Sequence, residues 1–287
     1  MRQHFDIEHG FMEVNGLHIA YRLFRFPEAL NARRLLCLHG AGVAGELTYG
    51  YLIPHLTHWS EILVPDFQGM GETYWADNAE RSFSVVQLMS DTSALLAHLQ
   101  WQQFDLCGYS LGGLVAMLLK QQIPQKILNT YLIEPALLDH RDIAKTRAFR
   151  EQYKGVADKI RTQGDRDSVM GFLDLVSPDR VRNERADALV ASRLGHRPYG
   201  FANALDAVSR AADEINRMDL LQAQANVTSF VGGKSYLAMR QLHQELSATR
   251  ADWRYVEIPG ADHSLPFQKP KRLAEEMMAT ELINPSL

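Results

Sequence analysis

The chain has 287 residues, 46% of them hydrophobic and 22% charged, an ordinary globular composition with enough apolar material for one well-covered core. A net charge of −4 supplies no basic field for nucleic acid. No stretch approaches the roughly 18 uninterrupted apolar residues of a spanning helix, so no membrane span is expected.

Residues 1–14 alternate charged and apolar side chains, which predicts neither a signal peptide nor an anchor and leads us to expect a soluble, cytoplasmic protein. Residues 11–14 and 17–23 flank Asn15-Gly16, a dipeptide suited to a two-residue hairpin turn. A short apolar run at 35–38 reads as a buried strand and ends in Leu38-His39-Gly40-Ala41-Gly42. The next, at 62–64, ends in Asp66-Phe67-Gln68-Gly69-Met70-Gly71. Val85, Leu88, Met89, Thr92, Leu95, Leu96 and Leu99 follow the spacing of one helix face, with Ser84 and Gln87 placed for a capping box at its start.

The run at 104–107 predicts another strand, followed directly by Gly108-Tyr109-Ser110-Leu111-Gly112-Gly113. Leu111, Leu114, Val115, Leu118 and Leu119 then give helical spacing, and 127–133 a further strand ending in Glu134-Pro135. From 137 to 212 no convincing strand occurs. One helical face is marked by Phe149, Tyr153, Val156 and Ile160, another by Phe172, Leu173 and Val176. An insertion of that length is too long for a loop and predicts a helical cap. Its first part, 141–166, carries eight Lys or Arg against four Asp or Glu. That excess reads as a solvated helix face, with a dock for an acidic carrier protein as the rival meaning. Strands are expected again at 227–231, followed by Gly232-Gly233-Lys234-Ser235, and at 253–258, followed by Pro259-Gly260-Ala261-Asp262-His263. Cys37 and Cys107 each lie inside an apolar run and read as buried thiols rather than a disulfide or a reactive site.

An opening hairpin followed by alternating strands and helices predicts an α/β fold. Its central sheet should be mostly parallel, with helices on both faces and an antiparallel edge. Continuous apolar runs suit strands buried on both sides. The expected partition is a core of 1–136 and 213–287 with a cap of 137–212.

The chemistry concentrates at Ser110. A sharp strand-to-helix turn strains the serine backbone, glycines two before and two after let strand and helix approach, and the helix N-terminus aims N–H groups and a positive dipole end at the site. Together with the His39-Gly40 turn and the Asp66–Gly71 loop, in that order, this elbow resembles the α/β-hydrolase fold family over nearly the whole chain. The resemblance implies Ser110 as nucleophile and an oxyanion hole from the backbone N–H groups of Ala41 and Leu111. It also implies a serine, acid, histidine order along the chain. Of the downstream histidines, His140 and His196 fall in the cap and His243 in a helical stretch. His263 follows the last strand, where the family carries its base. His39 is expected to order the oxyanion turn. The acid departs from the common pattern, because Ser235 occupies the position after strand 227–231 where many members carry Asp. Other members, haloalkane dehalogenases and certain small esterases among them, carry it at the preceding strand end, which implies Glu134. Asp262 is the rival.

The implied activity is hydrolysis of a carboxylic ester or thioester of a small-molecule acyl substrate, free or carrier-linked, through an acyl-enzyme on Ser110. C–C bond hydrolysis, acyl transfer to another acceptor and non-catalytic ligand reception remain as alternatives; Ser110 argues against a dehalogenase or epoxide hydrolase, which needs a carboxylate nucleophile. No metal or organic cofactor is implied, since no His/Cys cluster has ligand spacing and no G-x-G-x-x-G follows a strand.

Overall fold

The computed structural model describes residues 4–29, 32–180 and 182–281. The outer ends of the expected partition, and the first three residues of the stretch read as neither signal nor anchor, lie outside them. Asn15 and Gly16 take φ of 50° and 82°, the conformation a two-residue hairpin turn demands. They fold β1 (Asp6–Val14) onto β2 (Leu17–Arg25), pairing Val14 with Leu17 and Asp6 with Arg25. The hairpin is longer than its apolar pattern because most of β1 is exposed, held to β2 by backbone pairing and the Glu8–Arg25 ion pair, with Phe11 edge-on to Tyr74 and Met12 buried.

Next come β3 (Arg34–Leu38), α1 (Gly45–Tyr49), β4 (Glu61–Pro65) and a two-residue β5 (Tyr74–Trp75). Helix α2 (Val85–His98) precedes β6 (Phe104–Tyr109), α3 (Leu111–Gln122) and β7 (Ile127–Ile133). Four helices follow, α4 (Ile143–Gln163), α5 (Arg166–Val176), α6 (Glu184–Leu194) and α7 (Pro198–Glu214), then the short α8 (Arg217–Gln222). The chain closes with β8 (Val227–Gly232), α9 (Leu237–Thr249), β9 (Trp253–Ile258), α10 (Leu265–Gln268) and α11 (Pro270–Glu281).

The sheet order is β1-β2-β4-β3-β6-β7-β8-β9, with β5 beside β2. From β4 to β9 every pairing is parallel, while β2 is antiparallel to β1, β4 and β5. Alternate residues of the central strands enter different cores, as the two-residue period requires. Leu36, Leu38, Leu106 and Leu132 pack on one face with Leu88, Leu95, Leu114 and Leu220 from the helices. Leu35, Cys37, Cys107, Tyr131 and Phe230 pack on the other with Tyr49, Trp59, Leu273 and Met277. Cys37 and Cys107 are opposite one another on β3 and β6, both buried and unbridged. Burial pushes the Cys37 thiol well up, which leaves it a small apolar filler.

Ser84 caps α2 by accepting the Gln87 N–H at 3.1 Å, but the Gln87 side chain turns to Asp91 at 2.9 Å, so half of the capping box forms. Between β7 and α8 the described residues contain helices and no strand. Phe149, Tyr153, Ile160, Phe172, Phe201 and Leu205 form a third core there, joined by Val43 from the β3–α1 turn. Its rings meet edge to face: Tyr153–Phe172 centroids lie 5.7 Å apart and Phe172–Phe201 5.1 Å, a favoured aromatic geometry. The start of α7 sits on the Asp66–Gly71 loop so closely that a Cβ on Gly200 would lie 1.7 Å from the Gly69 carbonyl oxygen. Arg197 fixes the same junction, donating to the carbonyls of Gly71 at 3.2 Å and Thr73 at 2.5 Å and pairing with Glu80 at 2.6 Å. Five of the eight cations at 141–166 are matched by carboxylates, in the pairs Arg141–Glu245, Arg147–Asp213, Arg150–Asp139, Lys154–Glu151 and Arg161–Asp206. No helix among the described residues is long and apolar enough to cross a membrane.

Candidate active site

Between the last residue of β6 and the first of α3 stands Ser110, at φ 52° and ψ −114°. A non-glycine residue in that region carries about 1–3 kcal/mol of strain and persists only where its surroundings impose it. Here they do. The Ser110 N–H donates to the Ile133 carbonyl and its own carbonyl accepts from Ala136 N–H, both at 3.0 Å, so the end of β7 braces the turn. The flanking glycines are required by contact: a Cβ on Gly108 would meet the Gly112 carbonyl oxygen at 2.4 Å, and one on Gly112 the Leu38 carbonyl oxygen at 2.1 Å.

The loop after β9 brings His263 to this turn. Its Nε2 lies 3.2 Å from Ser110 Oγ and its Nδ1 2.7 Å from Glu134 Oε2. With the ring proton on Nδ1, that nitrogen donates to Glu134 and Nε2 is free to accept from the serine hydroxyl. The carboxylate of Glu134 is 1% exposed and the imidazole 13%. The Tyr109 hydroxyl donates to the His263 carbonyl at 2.9 Å, and the His263 N–H donates to Ser177 Oγ at 3.3 Å. Burial first, and then the Glu134 and Asp262 carboxylates, push the Tyr109 phenol well up, so it stays a neutral donor.

Asp262 is turned away from the imidazole. Its Oδ1 accepts from Ser264 N–H at 2.9 Å and from Gln268 Nε2 at 3.0 Å, while Gln268 Oε1 accepts the Asp262 N–H at 3.0 Å. His140 packs edge to face on Phe149, His243 is buried in α9, and His196 is exposed, so of the four downstream histidines His263 alone reaches Ser110. His39 is fully buried. Its Nδ1–H donates to the Gly40 carbonyl at 2.7 Å and its Nε2 accepts the Phe67 N–H at 2.9 Å, which ties the Ala41 turn to the Asp66–Gly71 loop. Burial lowers its pKa, in keeping with the neutral ring this pair of bonds needs. Asp66 in turn accepts the N–H groups of Gly45 at 2.8 Å and Glu72 at 2.9 Å and pairs with Arg22 at 2.5 Å.

Ser110, His263 and Ala41 line a cavity of about 420 Å³. The remaining wall is largely apolar, with Val43 and Phe267 on one side and Phe172, Leu173, Val190 and Leu194 from α5 and α6 on the other. Arg180, also on the wall, is matched by Asp174 and Asp187, each at 2.8 Å. Leu111 leads α3, where the first N–H groups have no intrahelical partner.

Sequence reasoning missed two groups. Ser235 Oγ donates to Glu134 Oε1 at 2.5 Å and Gly232 N–H donates to the same oxygen at 2.7 Å. The serine standing where an acid is common was the available signal, but it read as an absence rather than as a donor.

The model of the alpha/beta hydrolase family matches residues 35–276. Similar curated proteins include a pyrrolizixenacetamide deacetylase of Xenorhabdus hominickii, 28% identical over 155 residues, which are 54% of this chain and 55% of that one. Another is a pimeloyl-acyl-carrier-protein methyl ester esterase of Aeromonas hydrophila, 29% identical over 128 residues and 44% of each chain. The chain thus spans about half the length of these two relatives or less. Among solved structures, the enol-lactonase from Burkholderia xenovorans superposes with a TM-score of 0.76 at 20% identity, over 95% of this chain and 100% of that one. A hydrolase from Pseudomonas aeruginosa gives 0.75 at 20%, over 95% and 98%. At such identities the likeness is one of fold.

Proposed function

The chain belongs to the alpha/beta hydrolase family, and from that premise we propose that it is a serine hydrolase acting on a carboxylic ester or thioester through an acyl-enzyme on Ser110. One observation carries the reading: the hydrogen-bonded chain Ser110 Oγ, His263 Nε2, His263 Nδ1, Glu134 Oε2, with separations of 3.2 Å and 2.7 Å at its two hydrogen bonds. A serine at its free pKa is a poor nucleophile and needs an oriented base within reach.

In this mechanism Ser110 Oγ attacks the substrate carbonyl as its proton passes to His263 Nε2. The backbone N–H groups of Ala41 and Leu111 receive the developing oxyanion. His263 then gives its proton to the leaving group, and a water deprotonated by the same nitrogen releases the acid. Glu134 holds the ring in the tautomer that accepts at Nε2 and balances its charge once it is protonated. The helices α5 and α6 act as a cap whose apolar side chains receive the acyl or alcohol chain, and about 420 Å³ suits a small-molecule ligand. A free ester fits better than a carrier-linked one, because five of the eight cations at 141–166 are already matched by carboxylates.

The test is labelling with a fluorophosphonate, followed by a panel of p-nitrophenyl esters of rising acyl length, dienone C–C substrates and acyl acceptors. Ser110 should be the labelled residue, and Ser110→Ala should lower ester turnover by about a millionfold. A Ser110→Ala enzyme retaining a tenth of parental turnover would refute the assignment. Preference for the dienone over every ester would move the chemistry to C–C cleavage.

A further inference from the structure

Strands β7 and β8 run parallel and end side by side, and the side chain of Glu134 bridges their ends. Its backbone is in the left-handed region, at φ 43°, and its N–H donates to the Phe230 carbonyl at 3.0 Å. Pro135 follows. The carboxylate therefore leaves the line of β7 and crosses to the turn after β8. There Oε1 accepts two hydrogen bonds, from Gly232 N–H at 2.7 Å and from the Ser235 hydroxyl at 2.5 Å, and Oε2 is left to meet His263 Nδ1 at 2.7 Å.

Ser235 is itself fixed. It is 6% exposed, and its N–H donates to the Gly232 carbonyl at 3.0 Å. The turn it closes also holds the histidine loop, through Lys234 N–H to the Ala261 carbonyl at 2.8 Å. At Gly232 the two segments are so close that a Cβ would lie 2.5 Å from the Ala261 carbonyl oxygen. Glu134 and His263 are thus both referenced to one four-residue turn. The terminal torsion of a glutamate is broad and nearly two-fold, so a carboxylate with no other partner would offer either oxygen to the ring. Two donors on Oε1 remove that freedom.

Resting on the serine-hydrolase reading above, we propose that Ser235 is a positioning residue: its hydroxyl fixes the Glu134 carboxylate so that Oε2 meets the imidazole, and it acts on the reaction through Glu134 without touching substrate. A serine at this position supplies the donor that a second carboxylate there would lack.

The experiment is steady-state kinetics on one p-nitrophenyl ester for the parent, Ser235→Ala, Glu134→Gln and the double variant, with Ser110→Ala alongside. Ser235→Ala removes one oxygen and adds no volume. Loss of a hydrogen bond to a charged group should lower kcat about 10–100-fold, with kcat/KM falling in parallel and KM unchanged, the signature of an interaction used in the transition state. In the Glu134→Gln background the same change should cost nothing further, since the group it positions no longer acts. A merely structural serine would lower both backgrounds alike. Equal losses in both backgrounds, or parental kcat in Ser235→Ala, would overturn the proposal while Ser110→Ala remains inactive. Full turnover in Ser110→Ala would instead sink the serine-hydrolase reading, and the role of Ser235 with it.

Discussion

Replacing Glu134 by glutamine changes one atom and tests the whole of the proposed proton path. The carboxylate is 1% exposed, with Oε2 at 2.7 Å from His263 Nδ1 and Oε1 held by Gly232 N–H and the Ser235 hydroxyl. An amide of the same shape keeps its oxygen on those two donors, which places its NH₂ against Nδ1. That nitrogen must then accept, so the ring proton moves to Nε2, the atom that faces Ser110. An imidazole so arranged cannot take the serine proton. The expected loss in kcat is about 10³–10⁴, the scale for a histidine held in the wrong tautomer, or roughly 4–5.5 kcal/mol of barrier. Steady-state ester hydrolysis measures it, the fluorophosphonate labelling rate should fall with it, and thermal melting should stay near the parent. Near-parental turnover in Glu134→Gln, with a large loss in Asp262→Asn, would refute the reasoning and move the acid to Asp262.

Burial lowers the His243 imidazole to about 3, so the folded protein leaves it neutral where the unfolded chain, near 6.5, takes up a proton. Its contribution is therefore complete above about pH 6.5 and is lost as pH falls towards 3, by about 2 kcal/mol between pH 6.5 and 5. His243→Leu should accordingly show a smaller drop in melting temperature from pH 7 to 5 than the parent, and an equal drop would count against this account. At the α7 junction, Gly200→Ala should destabilise by about 1–3 kcal/mol or more through its backbone clash with Gly69. Gly155→Ala, an exposed position in α4 with nothing near its Cβ, should stabilise by about 0.5–1 kcal/mol. Melting curves that move the same way for both would contradict the packing described. Leu173→Gln and Val190→Gln, on the wall contributed by α5 and α6, should shift the preferred acyl length without abolishing turnover, and an unchanged length profile across the ester panel would make those helices structural only.

Much of the fold is legible in the sequence because its central strands are buried on both faces, and all six residues of β6 and of β8 are buried. Where strands bury little, the signal fades. Residues 6–10 of β1 carry a mixed polar pattern, and β5 is two residues resting on the start of β2. The elbow at Ser110 is legible because strand, turn and helix follow one another along the chain and Gly108 is demanded by the nearby Gly112 carbonyl, although Gly112 itself is demanded by Leu38 on a neighbouring strand. The partner of Glu134 is not, since Ser235 lies 101 residues further on and meets it only when two strands end side by side. Local competition also escapes a pattern reading: Gln87 has both Ser84 and Asp91 in reach and its side chain takes the latter.

The convergence of β7 and β8 on one point has an evolutionary consequence. Residues 134 and 235 present their side-chain oxygens 2.5 Å apart, so a carboxylate supplied from the turn after β8 would arrive close to the place the Glu134 carboxylate now holds. If Glu134 serves as the acid, as proposed above, relocating that role takes two point substitutions. An aspartate acquired at 235 while Glu134 is still present would give an intermediate in which the two carboxyl groups share a proton, and subsequent loss of Glu134 would complete the transfer. In the opposite order the histidine passes through a stage with no acid at all. The geometry therefore makes one order of substitution passable and the other costly, and on the proposed reading an exchange of the acid between neighbouring strands would require no rearrangement of the fold.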